Sequence, residues 1–69
     1  MAESIYKIIE LIGTSEKSWE EAAKNAVEQA GESLRDLRIA EIVQLDMKVE
    51  KNKVTAYRAR VKVSFKYQT

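Results

Sequence analysis

The sequence predicts an α+β fold in the order strand, helix, long strand, long strand. Three observations predict it. A short run rich in β-branched residues stops at Gly13. An Ala-rich stripe with helical spacing follows it. Two long segments with period-two alternation then flank Lys51-Asn52.

The first strand is expected from about Ser4 to Ile12. Ile5, Ile9 and Leu11 alternate with Tyr6, Ile8 and Glu10, so both faces carry apolar groups. That pattern predicts one face buried within the subunit and one between subunits. Gly13-Thr14-Ser15 reads as a turn into the helix, with Ser15 or Ser18 as N-cap. Ser18 and Glu21 have the spacing of a capping box, in which each side chain satisfies an unpaired backbone N–H. Glu16, Glu20 and Glu21 lie near the positive end of the helix dipole. Trp19, Ala22, Ala23, Ala26, Val27, Ala30 and Leu34 form the buried stripe, and Glu20, Lys24, Glu28 and Glu32 the wet face. Small side chains let the helix lie close to a curling sheet, with Trp19 as its bulky anchor.

From Ile39 to Val49 the odd positions read Ile, Glu, Val, Leu, Met, Val. From Val54 to Tyr67 the odd positions are mostly apolar, while Arg58, Arg60, Lys62, Ser64 and Lys66 occupy the even ones. Each segment predicts a strand with one buried face. Asn52 tolerates positive φ and suits a tight hairpin turn. One short helix cannot cover two such strands, and their open edges invite pairing. Contacts between copies are therefore expected through the sheet.

At 69 residues the chain holds one domain, taken as 1–69, and such a domain is marginal alone. It has no Cys and no His, so disulfides, thiolate sites and ordinary zinc sites are excluded. Oligomerisation is left as the source of extra buried surface. Twelve basic against eleven acidic residues give a net charge of +1, which provides no field for nucleic acid or an anionic membrane. No apolar run spans a bilayer, and Met1-Ala2-Glu3-Ser4 lacks a signal-peptide core, so the expected location is the cytoplasm. No nucleophile motif or phosphate loop is present, and the chain is not expected to be an enzyme.

The ordered combination of Gly13-Thr14-Ser15, the Ala-rich helix, Ile39-Ala40-Glu41-Ile42-Val43 and Tyr57 to Phe65 resembles the dodecin family over nearly the whole chain. The resemblance implies a three-stranded antiparallel sheet partly wrapping one helix. It further implies twelve subunits in a hollow sphere that stores riboflavin or FMN, with coenzyme A bound by some members. Flavin-binding dodecins carry a Trp where this chain has Ile39, and a Gln where it has Arg58. Ser18-Trp19-Glu20, Arg38-Ile39-Ala40, Asp46-Met47 and Tyr57-Arg58 look closer to the calcium-dodecin branch, which also lacks that Trp. That likeness implies a bound cation.

The expected function is a homododecamer that binds or stores a small ligand or ion through an altered flavin pocket. Flavin storage and a calcium-stabilised assembly are the alternatives. Ile39, Glu41, Gln44 and Arg58 are the candidate ligand-binding residues, and Asp46 and Glu41 the candidate metal ligands. Two carboxylates are too few for calcium, so a symmetry axis would have to multiply them. Arg58, Arg60, Lys62 and Lys66 share one strand face that could meet anions or pair with Asp46 and Glu50.

Overall fold

The computed structural model describes residues 5–67. Its elements are β1 (Tyr6–Ser15), α1 (Trp19–Ser33), β2 (Leu37–Glu50) and β3 (Lys53–Lys66). The three strands form one antiparallel sheet in the order β1-β3-β2, so the last strand is central and both others are edges. The α+β class and the β-α-β-β order match the expectation. The polar start of the chain, Met1 to Ser4, lies outside the described residues.

β1 runs three residues past the expected end at Ile12. Gly13-Thr14-Ser15 is not a turn but the end of the strand, paired with Ala59, Arg58 and Tyr57. Gly13 stays in the ladder because α1 crosses directly over it. A Cβ there would lie far inside contact with the Ala22 carbonyl oxygen and 2.9 Å from the Ala26 Cβ. The Ala stripe does what its small side chains permit: Ala22, Ala23, Ala26 and Ala30 are all buried. Ala22, Ala23 and Ala26 meet Ala59, Val61 and Val63 of β3, with Ile9, Leu11, Val27 and Leu37 packed around them.

Ser18 is the N-cap, in extended conformation, and its Oγ accepts the Glu21 N–H at 3.0 Å. The reciprocal half of the box is different from the expected one. The Glu21 carboxylate accepts the Ser15 hydroxyl at 2.6 Å, and the Ser15 Oγ accepts the N–H groups of Lys17 and Ser18. Ser15, buried at the end of β1, therefore satisfies the donor that Glu21 was expected to take. The helix ends where the Leu34 N–H returns to the Ala30 carbonyl at 2.9 Å.

Lys51 and Asn52 both have positive φ, 51° and 64°, as a two-residue type I′ hairpin requires. The hairpin arms are 14 residues each, about 46 Å at strand rise, against about 22 Å for the 15-residue helix. α1 packs on β1 and β3 and hardly reaches β2. The inner face of β2 consequently stays largely bare, with Ile42, Leu45 and Met47 roughly half exposed. Among the described residues no helix is long and apolar enough to cross a membrane.

The strict odd–even reading of β2 is corrected by two bulges. The pairing steps from Leu37↔Phe65 to Ile39↔Ser64, and from Ile42↔Val61 to Gln44↔Arg60. Arg38 and Val43 are thus extra residues, and each insertion reverses which parity faces the helix. The inward series is Leu37, Ala40, Ile42, Leu45 and Met47, not the odd positions throughout. Ile39 and Glu41 point away from the helix.

Candidate binding face on the outer side of the sheet

Directly paired residues of an antiparallel sheet lie on the same face. On the face away from α1, the register builds four rungs across β1, β3 and β2. They are Ile8–Ser64–Ile39, Glu10–Lys62–Glu41, Ile12–Arg60–Gln44 and Thr14–Arg58–Asp46. All five predicted site residues, Ile39, Glu41, Gln44, Asp46 and Arg58, fall on this face. The bulge at Val43 brings them together. Without it, Gln44 and Asp46 would lie on the opposite side from Ile39 and Glu41.

The rungs differ chemically. Ile39 is 68% exposed and forms an apolar end with Ile8, where the Ser64 hydroxyl donates to the Ile39 carbonyl at 3.4 Å. In the next rung, one ammonium sits between two carboxylates, Glu10 and Glu41. Arg60 follows between Ile12 and Gln44. At the far end Arg58 clasps Asp46 at two points, Nε to Oδ1 at 2.7 Å and Nη2 to Oδ2 at 2.9 Å. Of the expected pairings of the basic face with Asp46 and Glu50, this is the one the fold closes. Glu50 instead pairs with Lys48, at 3.7 Å.

The Arg58 clasp holds the Asp46 carboxyl below its ordinary value of 3.8, first through the hydrogen bonds and then through the charges of Arg58 and Arg60, against a partial loss of water. Asp46 pushes Arg58 up in turn. A depressed carboxylate contributes stability above its unfolded pKa and loses it as pH falls through the lower folded value. Asp46→Asn should therefore flatten the acid limb of a melting-temperature profile below about pH 5, where the unfolded carboxyl begins to protonate. Parallel acid limbs for the two proteins would contradict this.

Trp19 is not on this face. Its indole N–H donates to the Asp46 carbonyl at 3.0 Å, and its ring meets Tyr57 edge-on at 5.0 Å and 70°. It anchors the start of the helix to the hairpin, directly behind the Asp46–Arg58 pair. Sequence reading found its anchoring role but not its target, because the contact depends on the register of β2.

Calcium takes six to eight oxygen ligands. Among the described residues no group of three or more acidic side chains converges within one chain. Glu41 and Asp46 stand two rungs apart, and both Asp46 oxygens are already engaged. A single chain does not fit a calcium ion. A flavin fares no better on the four rungs, since none of their side chains is aromatic.

Comparison with known proteins agrees with the topology. The family model described as Dodecin matches residues 5–68. A Mycobacterium tuberculosis protein named calcium dodecin is 46% identical over 63 residues, covering 91% of this chain and 89% of its own. Its sequence likeness is matched in three dimensions by a crystal structure of a calcium-chelating antigen, calcium dodecin, from Mycobacterium tuberculosis with a calcium-binding site. That structure has TM-score 0.84 and 45% identity, covering 94% of this chain and 93% of that one. Dodecin from Streptomyces coelicolor superposes with TM-score 0.92 at 29% identity, covering 100% and 99%. The family match across nearly the whole chain, joined to the same strand–helix–strand–strand architecture, places this protein: it belongs to the dodecin family.

Proposed function

We propose that the chain is one subunit of a hollow homododecamer that binds a small ligand or a cation without transforming it. The observation that carries this reading is the continuous outer face on which Ile39, Glu41, Gln44, Asp46 and Arg58 assemble. The half-exposed apolar inner face of the hairpin supports the oligomer, because exposed apolar area of that kind calls for a covering surface. The family is consistent with a storage or buffering role, and the cytoplasm is the location proposed with it.

Calcium is the ligand best supported, given the relatives named for it. Glu41 and Asp46 are the ligands we assign, with copies meeting at a symmetry axis to supply the oxygens that one chain lacks. Thermal melting of the oligomer tests this. Calcium at a hundred times its Kd stabilises by about 2.7 kcal/mol per site, so a chelator should lower the melting temperature and calcium should restore it. Identical melting with chelator and with calcium would sink the cation reading.

Flavin is the second reading, favoured by the apolar patch of Ile39 and Ile8. Stacking between aromatic surfaces adds about 0.5–1.5 kcal/mol per pair beyond area burial, and Ile39 forgoes it. Riboflavin and FMN emission should stay unquenched by this protein and be quenched by an Ile39→Trp variant. Strong quenching by the unaltered chain would make flavin the leading ligand.

A further inference from the structure

One chain carries two uncovered apolar surfaces of opposite shape, a groove and a ridge. The groove runs between α1 and the free edge of β1 and holds about 670 Å³. Ile9 and Leu11 line it from the strand, and Ala26, Ala30 and Gln29 from the helix. Asn25 fixes one end of it by donating to the Thr14 carbonyl at 3.1 Å.

The ridge is the free end of the β2–β3 hairpin. Trp19 sets the start of α1 against the Asp46 carbonyl and the Tyr57 ring, and the hairpin runs on beyond that point. The described chain is 55 Å long, against about 22 Å for the helix. The third register shift makes Thr55 the extra residue on β3. Val49 therefore keeps the inner parity of Leu45 and Met47, and Val54 joins it as its direct partner. All four are about half exposed.

The two surfaces also differ in charge. No residue lining the groove is charged. Glu28 and Glu32 stand beside it, each three or four residues from Asn25 or Gln29, and the Gln29 amide donates to Glu32 Oε1 at 3.3 Å. The hairpin end carries Lys48, Lys51 and Lys53 against one carboxylate, Glu50. Lys48 pairs with Glu50, whereas Lys51, Lys53, Glu28 and Glu32 have no ion-pair partner among the described residues. A chain cannot fill its own groove, because β1 and β2 are opposite edges of the sheet, about 10 Å apart, with α1 on the inner face.

We propose that the hairpin end of one copy seats in the groove between β1 and α1 of the next, with Lys51 and Lys53 meeting Glu28 and Glu32. The inference rests on the assembly reading above and adds how the copies meet. Groove and ridge are different patches, so the contact is head to tail, and it must close into a ring if it is not to grow as a filament. Complementary charge fixes the direction of seating. The contact uses the inner face, so the outer face that holds Ile39 and Arg58 stays free for a ligand.

Cross-linking tests the proposal, and the absence of Cys makes it clean. Gln29→Cys and Val49→Cys chains are prepared separately, co-assembled and treated with a short bismaleimide. Each substitution is at an exposed position, and circular dichroism confirms the fold. The mixture should give a covalent pair containing one chain of each kind, and neither variant alone should cross-link. A chain carrying both substitutions should give a ladder that ends in a closed ring. In a second arm, Glu28→Lys with Glu32→Lys should raise the dissociation midpoint of the particle about fivefold, as two exposed ion pairs allow. Adding Lys51→Glu and Lys53→Glu to that chain should restore it.

Cross-linking of Val49→Cys to itself, with none to Gln29→Cys, would replace the head-to-tail contact by a twofold one. No cross-link and no charge rescue, in a particle whose native mass is that of many chains, would overturn the groove contact and leave the assembly standing. A monomer as the only species of the unaltered protein would overturn both.

Discussion

Gly13→Ala is expected to destabilise the subunit by about 3 kcal/mol or more, the upper end of overpacking costs. The added methyl would overlap the Ala22 carbonyl oxygen and press the Ala26 Cβ at 2.9 Å. Neither obstacle is a flexible side-chain tip that can swing away. Relief requires the whole helix to lift from β1 and β3, which strips the Ala22, Ala26, Ala59 and Val61 contacts at the centre of a small core. A domain of this size is stable by only a few kcal/mol, so the loss is most of the total. Gly31→Ala is the contrasting case. Its Cβ would meet only the Leu37 Cδ1, at an ordinary 3.5 Å, within a helix where Ala is preferred to Gly by roughly 0.8–1.0 kcal/mol. Denaturant unfolding of both variants should show opposite signs. A tolerated Gly13→Ala would mean that the helix does not lie as close to β1 as described.

Leu45→Asp is expected to break the oligomer while leaving the helix end of the subunit folded. Leu45 pairs with Ala59 on the inner face, beside Ile42 and Met47, on the strand that α1 hardly touches. In an isolated chain the substitution would add a carboxylate to a half-exposed position and cost little. In an assembly that covers this face it would bury a charge with no partner, at several kcal/mol per copy, repeated by symmetry. Sedimentation should therefore shift from one large particle to small species, with helical circular dichroism largely retained. A variant that sediments like the parent would show that the hairpin face is not the contact surface.

Much of the architecture was legible because its causes are local. The Ala stripe has helical spacing, Ser18 caps it, and Asn52 permits a tight turn. The end of β1 was misread because Gly13, Thr14 and Ser15 look like turn residues in isolation. Gly13 is instead required by the backbone of α1, a contact that sequence order does not reveal. The two bulges in β2 were missed for a related reason. Apolar positions shift from Ala40 and Ile42 to Leu45 and Met47, a slip of one residue that marks the bulge. Ile39 and Val43 hide the slip, since they are apolar without facing the helix. The residues of the candidate site are legible from their type and position, but their common face is not. Their union depends on Val43, and the clasp between Asp46 and Arg58 depends on the register that Val43 resets.

The central claim is that this chain works as a closed assembly, because one copy leaves the inner face of β2 bare and, among its described residues, completes no cation site. Native mass spectrometry of the unaltered protein tests it most directly. The account predicts a single particle of about 95 kDa, twelve chains of 7.9 kDa each. A folded monomer or dimer as the only species would contradict it.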